Sequence, residues 1–224
     1  REKTIDPATD QRPHVALMSL PNVFETDLHT VPSVTPYLQT SEPTPLHLRL
    51  DPPPGGLAVG LVWGTNPDNK AMYKAKSLPL GILMPTLMQL LNLDLINLHS
   101  LQFGEDAAQL EPWQHHDRVY AWKDRLEDFS ETAHIIRQLD LVISVDTAVA
   151  HLAGALHRPT WLLLPVGADF RWLRERTDCP WYPSMRLFRQ VHRGDWSDVV
   201  NQVRQAFAEL SLLDLDAMAT AGVV

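Results

Sequence analysis

Past Gly56 the sequence alternates short apolar runs with segments of helical periodicity, and this alternation limits the possible folds more than any other feature. Leu57–Trp63 (LAVGLVW), Leu93–Leu101, Arg118–Trp122, Leu141–Val145 and Thr160–Leu164 read as strands, with Ser184–Phe188 a further candidate. Leu78–Leu91 carries apolar residues at Leu80, Leu83, Met84, Leu87, Leu90 and Leu91, which share one helix face. Asp128–Leu139 reads as a helix capped by Asp128, with Glu131 placed to return the bond. Thr147–Leu156 is small and apolar, suited to close packing on a sheet, and Trp196–Leu210 is amphipathic. Such alternation predicts βαβ units: an α/β fold with a parallel sheet and helices on both faces. Ligands of these sheets bind at the C-terminal strand edges, so a site is expected in the loops that follow strands.

Residues 1–56 have a different character. Seven of the 18 prolines lie between Pro32 and Pro54, where fixed φ and missing donors favour extended, irregular chain. DPPPGG (51–56) reads as a linker ending at the domain start. His14–Leu20 (HVALMSL) reads as one isolated strand. The expected organisation is an arm over 1–56, a sheet domain over 57–210 and a tail over 211–224. The chain begins at Arg1 without an initiator Met, so a processed chain or a piece of a longer one is expected.

Charge and cysteine content remove several classes. A net charge of −8 argues against a generic nucleic-acid binder. The single cysteine, Cys179, permits no intrachain disulfide and no cysteine-based zinc site. No apolar run is long enough to span a bilayer, and the polar REKTIDPATDQRP start has no secretory core, so a cytoplasmic protein is expected. The histidines show no His-Glu-x-x-His spacing, so no metal site is expected. A Gly-x-Ser-x-Gly elbow is also missing from the sequence.

Four loops have the chemistry of a site. In ISVDTAVAHLAGAL (143–156) a buried strand ends at Asp146 and a small-residue helix begins after Thr147. The first-turn amides of such a helix and its dipole attract an anion. Asp146 and Thr147 suit ribose hydroxyls or phosphate, and His151, four residues on from Thr147, shares its helix face. The competing roles are a plain cap for Asp146 and a core position for His151. The loop after Trp63 offers Gly64, Thr65 and Asn66 to phosphate, with Lys70, Lys74 and Lys76 to neutralise it. Gln102 and Glu105, just past a strand, suit ribose hydroxyls. The long Pro165–Pro183 loop mixes Trp172, Trp181 and Tyr182 with Asp169, Arg171 and Arg174, either as a lid or as simple packing.

Taken together, SVDTAVAHLAGALHRPTWLLLP (144–165), WLRERTDCPWYPSMRLFRQ (172–190) and GDW (194–196) resemble glycosyltransferase family 9, the ADP-heptose:lipopolysaccharide heptosyltransferases. VGLVWGTNPDNK (59–70) and LEDFSETAHIIRQLDLVISVD (126–146) extend the likeness, which is nearest to the version found at the end of tetratricopeptide-repeat proteins. The resemblance covers about 57–210 and implies the Rossmann-like C-terminal half of a GT-B glycosyltransferase. HVALMSLPNVFETDLHTVPSVTPYL (14–38) resembles the end of the preceding domain.

Such an enzyme moves a sugar from a nucleotide-diphosphate sugar to a hydroxyl of a saccharide or protein acceptor, with no metal and no cofactor besides its donor substrate. Carried over, Asp146, Thr147, Ala148 and His151 match the donor motif, with Ala148 where heptosyltransferases commonly have Gly. Thr65 and Asn66 match the phosphate loop, Lys74 and Lys76 stand where relatives have Arg, and Gln102 and Glu105 fall near the base and ribose. The resemblance assigns no catalytic base here; it puts that residue in the first domain, so the partners implied are that domain or a second copy. The alternative is a non-catalytic, transferase-like scaffold beside tetratricopeptide repeats, with an epimerase of the same scaffold more remote.

Overall fold

The computed structural model describes residues 14–50 and 55–221, with side chains as far as residue 210. The chain divides into two units, one ending at Ser33 and one beginning at Val34.

The first unit is not a strand. A 3-10 turn at Leu17–Ser19 runs into the short helix α1 (Leu20–Val23), whose first turn contains Pro21. Proline suits a helix start because the missing N–H has no intrahelical partner there. An isolated strand at His14–Leu20 would leave its backbone groups unpaired, whereas the helical turn satisfies some of them locally. Asp27 then closes a turn, its Oδ1 accepting from the His29 and Thr30 amides at 2.7 and 2.9 Å.

The second unit holds one six-stranded sheet. Its strands are β1 (Leu57–Val62), β2 (Ile96–Ser100), β3 (Val119–Ala121), β4 (Leu141–Val145), β5 (Thr160–Leu164) and β6 (Met185–Arg189). Their order is β3-β2-β1-β4-β5-β6, and every pairing is parallel. This is the parallel α/β sheet expected from the alternation, in the Rossmann-like form that the family resemblance implies. The helices are α2 (Lys70–Lys76), α3 (Leu80–Asn92), α4 (Phe129–Ile136), α5 (Ala148–Ala155) and α6 (Ser197–Ala221).

Strand periodicity sorts the core into layers. Val59 and Leu61 of β1, Leu141, Ile143 and Val145 of β4, and Trp161 and Leu163 of β5 face one way, onto α3 and α6. Ala58, Val62 and Val142 face the other way, with Ile135, Ile136, Val149 and Ala153 of α4 and α5. Leu162 and Leu164 pack with Trp172, Cys179 and Tyr182. The expected cap of α4 is present, as Asp128 accepts from the Glu131 amide at 2.9 Å. The return bond from Glu131 lands one residue early, on the Glu127 amide at 2.6 Å.

The boundaries differ from the sequence reading at both ends. Residues 34–50 lie with the sheet unit, because this proline-rich stretch spends its polar groups on α5 and on the turn that follows α4. Tyr37 donates its N–H to Ala155 O at 3.0 Å. Gln138 accepts from the Leu50 amide at 3.0 Å and donates to Leu48 O at 2.8 Å. Leu48 is fully buried, a contribution of about 1.5–3 kcal/mol for such a side chain. At the other end α6 continues through the expected tail to Ala221. The linker residues 51–54 lie outside the described residues.

Candidate functional site

Strand order reverses between β1 and β4, and the loops leaving their C-terminal ends part to form a cleft of about 560 Å³. Ligand pockets are commonly of this size, and the reversal point is where open α/β sheets place them.

One wall is the turn between β4 and α5. Thr147 caps α5 from extended backbone without a side-chain bond to the helix, so its first-turn amides keep their donors. Ser144 donates its hydroxyl hydrogen to Val145 O at 2.7 Å. Thr147 Oγ1, 3.0 Å away, is therefore the donor to Ser144 Oγ. Asp146, Thr147, Ala148 and Val149 all line the cleft.

The opposite wall is the loop after β1. It brings Gly64, Thr65, Asn66, Pro67 and Asn69 to the cleft and then, where the sequence predicts only a polar loop, forms α2. Asn69 caps α2 by accepting from the Met72 amide at 3.2 Å. The helix is latched at three places. Tyr73 donates to Asp106 Oδ1 at 2.7 Å, and this carboxylate pushes the phenol up to about 12. Ser77 Oγ accepts from the Thr65 amide at 3.0 Å. Lys76 Nζ reaches Asp146 Oδ2 at 2.5 Å, tying the two walls together. Gly64 packs against Asp106 so closely that a Cβ there would stand 2.2 Å from Oδ2.

Seven of the ten residues expected at the site line this cleft: Thr65, Asn66, Lys76, Gln102, Asp146, Thr147 and Ala148. Gln102 is committed to the protein. Its Oε1 accepts from the Trp63 and Gly64 amides at 3.0 and 2.8 Å, and its Nε2 donates to Gly64 O and Phe103 O at 3.3 and 3.0 Å. It braces the β1 turn. Glu105 is exposed and starts a 3-10 helix over Glu105–Trp113. Lys74 lines a separate cavity of about 430 Å³ with Trp63, Tyr73 and Gln109.

His151 lies beside the cleft in an aromatic box, stacked on Trp172 and bonded through Nδ1 to the Tyr182 hydroxyl at 3.1 Å. Burial holds its imidazole below the ordinary range, with Asp146 opposing that shift and Arg171 adding to it. Trp172 and Tyr182 of the Pro165–Pro183 loop are thus packed, with Trp172 fully buried, whereas Phe170 of the same loop is 63% exposed.

The larger apolar side chains at the cleft mouth carry no signal in the sequence. Met72, Phe103 and Phe129 line the cleft while 42%, 40% and 60% exposed. Phe129, directly after the Asp128 cap, looks in sequence like any first apolar residue of a helix. Among the described residues no group of three His, Cys, Asp or Glu is placed to hold a metal ion, and no helix is long and apolar enough to cross a membrane.

Comparison with known proteins bears on the same turn. Residues 127–163, from the start of α4 through most of β5, match the model of glycosyltransferase family 9 (heptosyltransferase). Protein FlbA of Caulobacter vibrioides is 30% identical over 117 residues, half of this chain and 19% of FlbA. Among solved structures, E. coli heptosyltransferase WaaC with ADP is similar with a TM-score of 0.52 and 17% identity, over 70% of this chain and 45% of WaaC. E. coli ADP-heptose lps heptosyltransferase II gives 0.51 and 16%, over 72% of this chain and 48% of that one. The family 9 glycosyl transferase of Veillonella parvula gives 0.50 and 13%, over 71% and 46%. The chain spans about a fifth of its curated relative and less than half of each of these structures. Its fold is like that of these heptosyltransferases, and its sequence around the Asp146 turn is similar to glycosyltransferase family 9.

Proposed function

We propose that this chain is the donor-binding part of a glycosyltransferase that takes a nucleotide-diphosphate sugar and passes the sugar to a hydroxyl of a saccharide or protein. The observation that carries this reading is the convergence on one cleft of the free α5 amides, Lys76 and the exposed rings of Phe103 and Phe129. Exposed rings suit a nucleobase, which stacks by its π-face. A helix N-terminus, equivalent to about +0.5 charge, and an ammonium suit a diphosphate. Asp146 and Lys76, joined across the cleft, mark where ribose or sugar hydroxyls and phosphate oxygens would exchange for the ion pair.

In glycosyl transfer the leaving diphosphate gains negative charge as its bond to the anomeric carbon breaks. Amides and an ammonium already fixed at that position stabilise the transition state more than the ground state, so the mechanism needs no metal. Deprotonation of the acceptor falls to a general base that we place outside this cleft, on the acceptor side of the whole transferase. Nucleotide-sugar chemistry and a lone buried thiol both fit a cytoplasmic setting.

The test is a thermal-shift titration with ADP, UDP and GDP. Ligand at a hundredfold over Kd stabilises the native state by about 2.7 kcal/mol. At least one nucleotide is expected to raise the melting temperature, and D146A to abolish the rise. Indifference to all three would sink the proposal.

A further inference from the structure

The box around His151 is built from four elements. The imidazole lies 4.9 Å from the Trp172 ring with planes 27° apart, and the Tyr182 ring meets it edge-on at 5.7 Å. Tyr182 is held in turn from two sides. Gly154 of α5 lies against its ring, where a Cβ would stand 2.5 Å from Cγ. Its hydroxyl is 3.4 Å from that of Tyr37, whose backbone is pinned to Ala155 O. The packing leaves the phenol one approach to His151, through Nδ1 at 3.1 Å.

These contacts decide where the protons sit. The Tyr182 hydroxyl has one hydrogen and two candidate acceptors, His151 Nδ1 and the Tyr37 oxygen. An imidazole nitrogen is far more basic than a phenol oxygen, and here it is also nearer. The hydrogen therefore goes to Nδ1, while Tyr37, largely exposed, can turn its own toward the Tyr182 oxygen. A neutral imidazole accepting at Nδ1 carries its proton on Nε2. Burial, and secondarily Tyr37, push the Tyr182 phenol up, which keeps it a donor. The charges acting on the ring come from three neighbouring elements. Asp146 and Asp169 favour protonation, Arg171 and Lys76 oppose it, and burial outweighs them all.

We propose that Tyr182 is a positioning residue that fixes His151 as the neutral Nε2–H tautomer, making the histidine a hydrogen-bond donor to an oxygen of the bound nucleotide sugar. With Nε2 already protonated and Nδ1 occupied by the phenol, His151 has no site left to accept a proton and does not act as the general base. The role toward the ligand rests on the nucleotide-sugar reading of the neighbouring cleft; the tautomer does not.

The experiment reads the tautomer directly. Long-range proton–nitrogen NMR on the whole, ligand-free chain labelled in histidine, with H151Q to assign the signals, distinguishes protonated from unprotonated ring nitrogens. Around neutral pH the wild type is expected to show Nε2 protonated and Nδ1 bare. Y182F should lose that exclusive population to a tautomer mixture and shift the His151 titration upward, whereas Y37F should leave the tautomer unchanged. A wild-type Nδ1–H signal overturns the proposal, and so does a Y182F spectrum identical to wild type. Should Y182F not fold, the wild-type spectrum alone decides. Failure of ADP, UDP and GDP to bind would remove the nucleotide reading and leave the tautomer result standing.

Discussion

The loops after β2 and after β4 flank the same cleft, and both present polar side chains just past a strand end. Gln102, after β2, spends all of its amide capacity on the Trp63–Phe103 backbone and is almost fully buried. The turn after β4 holds its hydrogen-bonding capacity in reserve, with α5 lacking a side-chain cap and Asp146 sharing its carboxylate with a lysine from across the cleft. One loop is closed on itself and sets the shape of the cleft; the other is open and faces whatever enters. What separates a binding residue from a brace is whether its donors and acceptors are already used, and residue type does not reveal that.

The closed region should fail first under acid. His99 of β2 is 3% exposed, stacks on Tyr120 and accepts from Trp122 Nε1 at 3.2 Å. Burial pushes its imidazole down to about 4. In the unfolded chain a histidine titrates near 6.5, so between the two values the unfolded state binds a proton that the folded state refuses. The stability associated with neutral His99 is whole above about pH 6.5 and falls progressively toward pH 4, by up to about 3 kcal/mol. Urea denaturation at pH 7.5 and 4.5, compared with H99Q, isolates this share from the carboxylates. Equal losses in both proteins would mean that the imidazole protonates freely in the fold.

Gln102 gives the next largest effect. Q102A leaves the Trp63 and Gly64 amides without their acceptor inside the protein, where an unsatisfied donor costs about 1–3 kcal/mol. A loss of about 2 kcal/mol is expected, with faster amide exchange at Gly64. A side chain that instead served a ligand would show the opposite pattern: unchanged stability and weaker nucleotide binding.

The same contrast explains what could be seen in the sequence. Strands β1, β4 and β5 were legible because burial on both faces demands nearly continuous apolar runs, and α5 because a strand end followed by small residues leaves few alternatives. Asp146, Thr147 and Ala148 came with them. Helix α2 was not legible. It is only seven residues long, and its three latches, to Asp106, Asp146 and Thr65, involve partners 12 to 70 positions away in the chain. Without the helix, nothing in the sequence separates Lys74 from Lys76. Met72, Phe103 and Phe129 were invisible for another reason, since an apolar residue facing a cleft has the same pattern as one facing a core. His14–Leu20 misled because a short apolar run of this kind suits a strand and a helical turn equally, and periodicity does not separate the two.

The two lysines provide the smallest and most discriminating test. Residues two apart on a helix point about 200° away from each other, so at most one of this pair can serve the cleft. Lys76 does: its ammonium crosses to Asp146 at 2.5 Å and its side chain is 15% exposed. Lys74 lines the other cavity and is exposed to solvent. K76A is expected to weaken binding of the nucleoside diphosphate that passes the thermal-shift test about tenfold, or about 1.4 kcal/mol. K74A should change it less than about twofold, as a solvated charge outside the cleft contributes little. Salt widens the separation. In 1 M salt, where screening acts within about 3 Å, any effect of K74A should vanish, while the partly buried Lys76 keeps most of its own. Equal losses for the two variants, equally screened, would mean that the loop acts only as a diffuse basic surface and that the ion pair across the cleft has no part in binding.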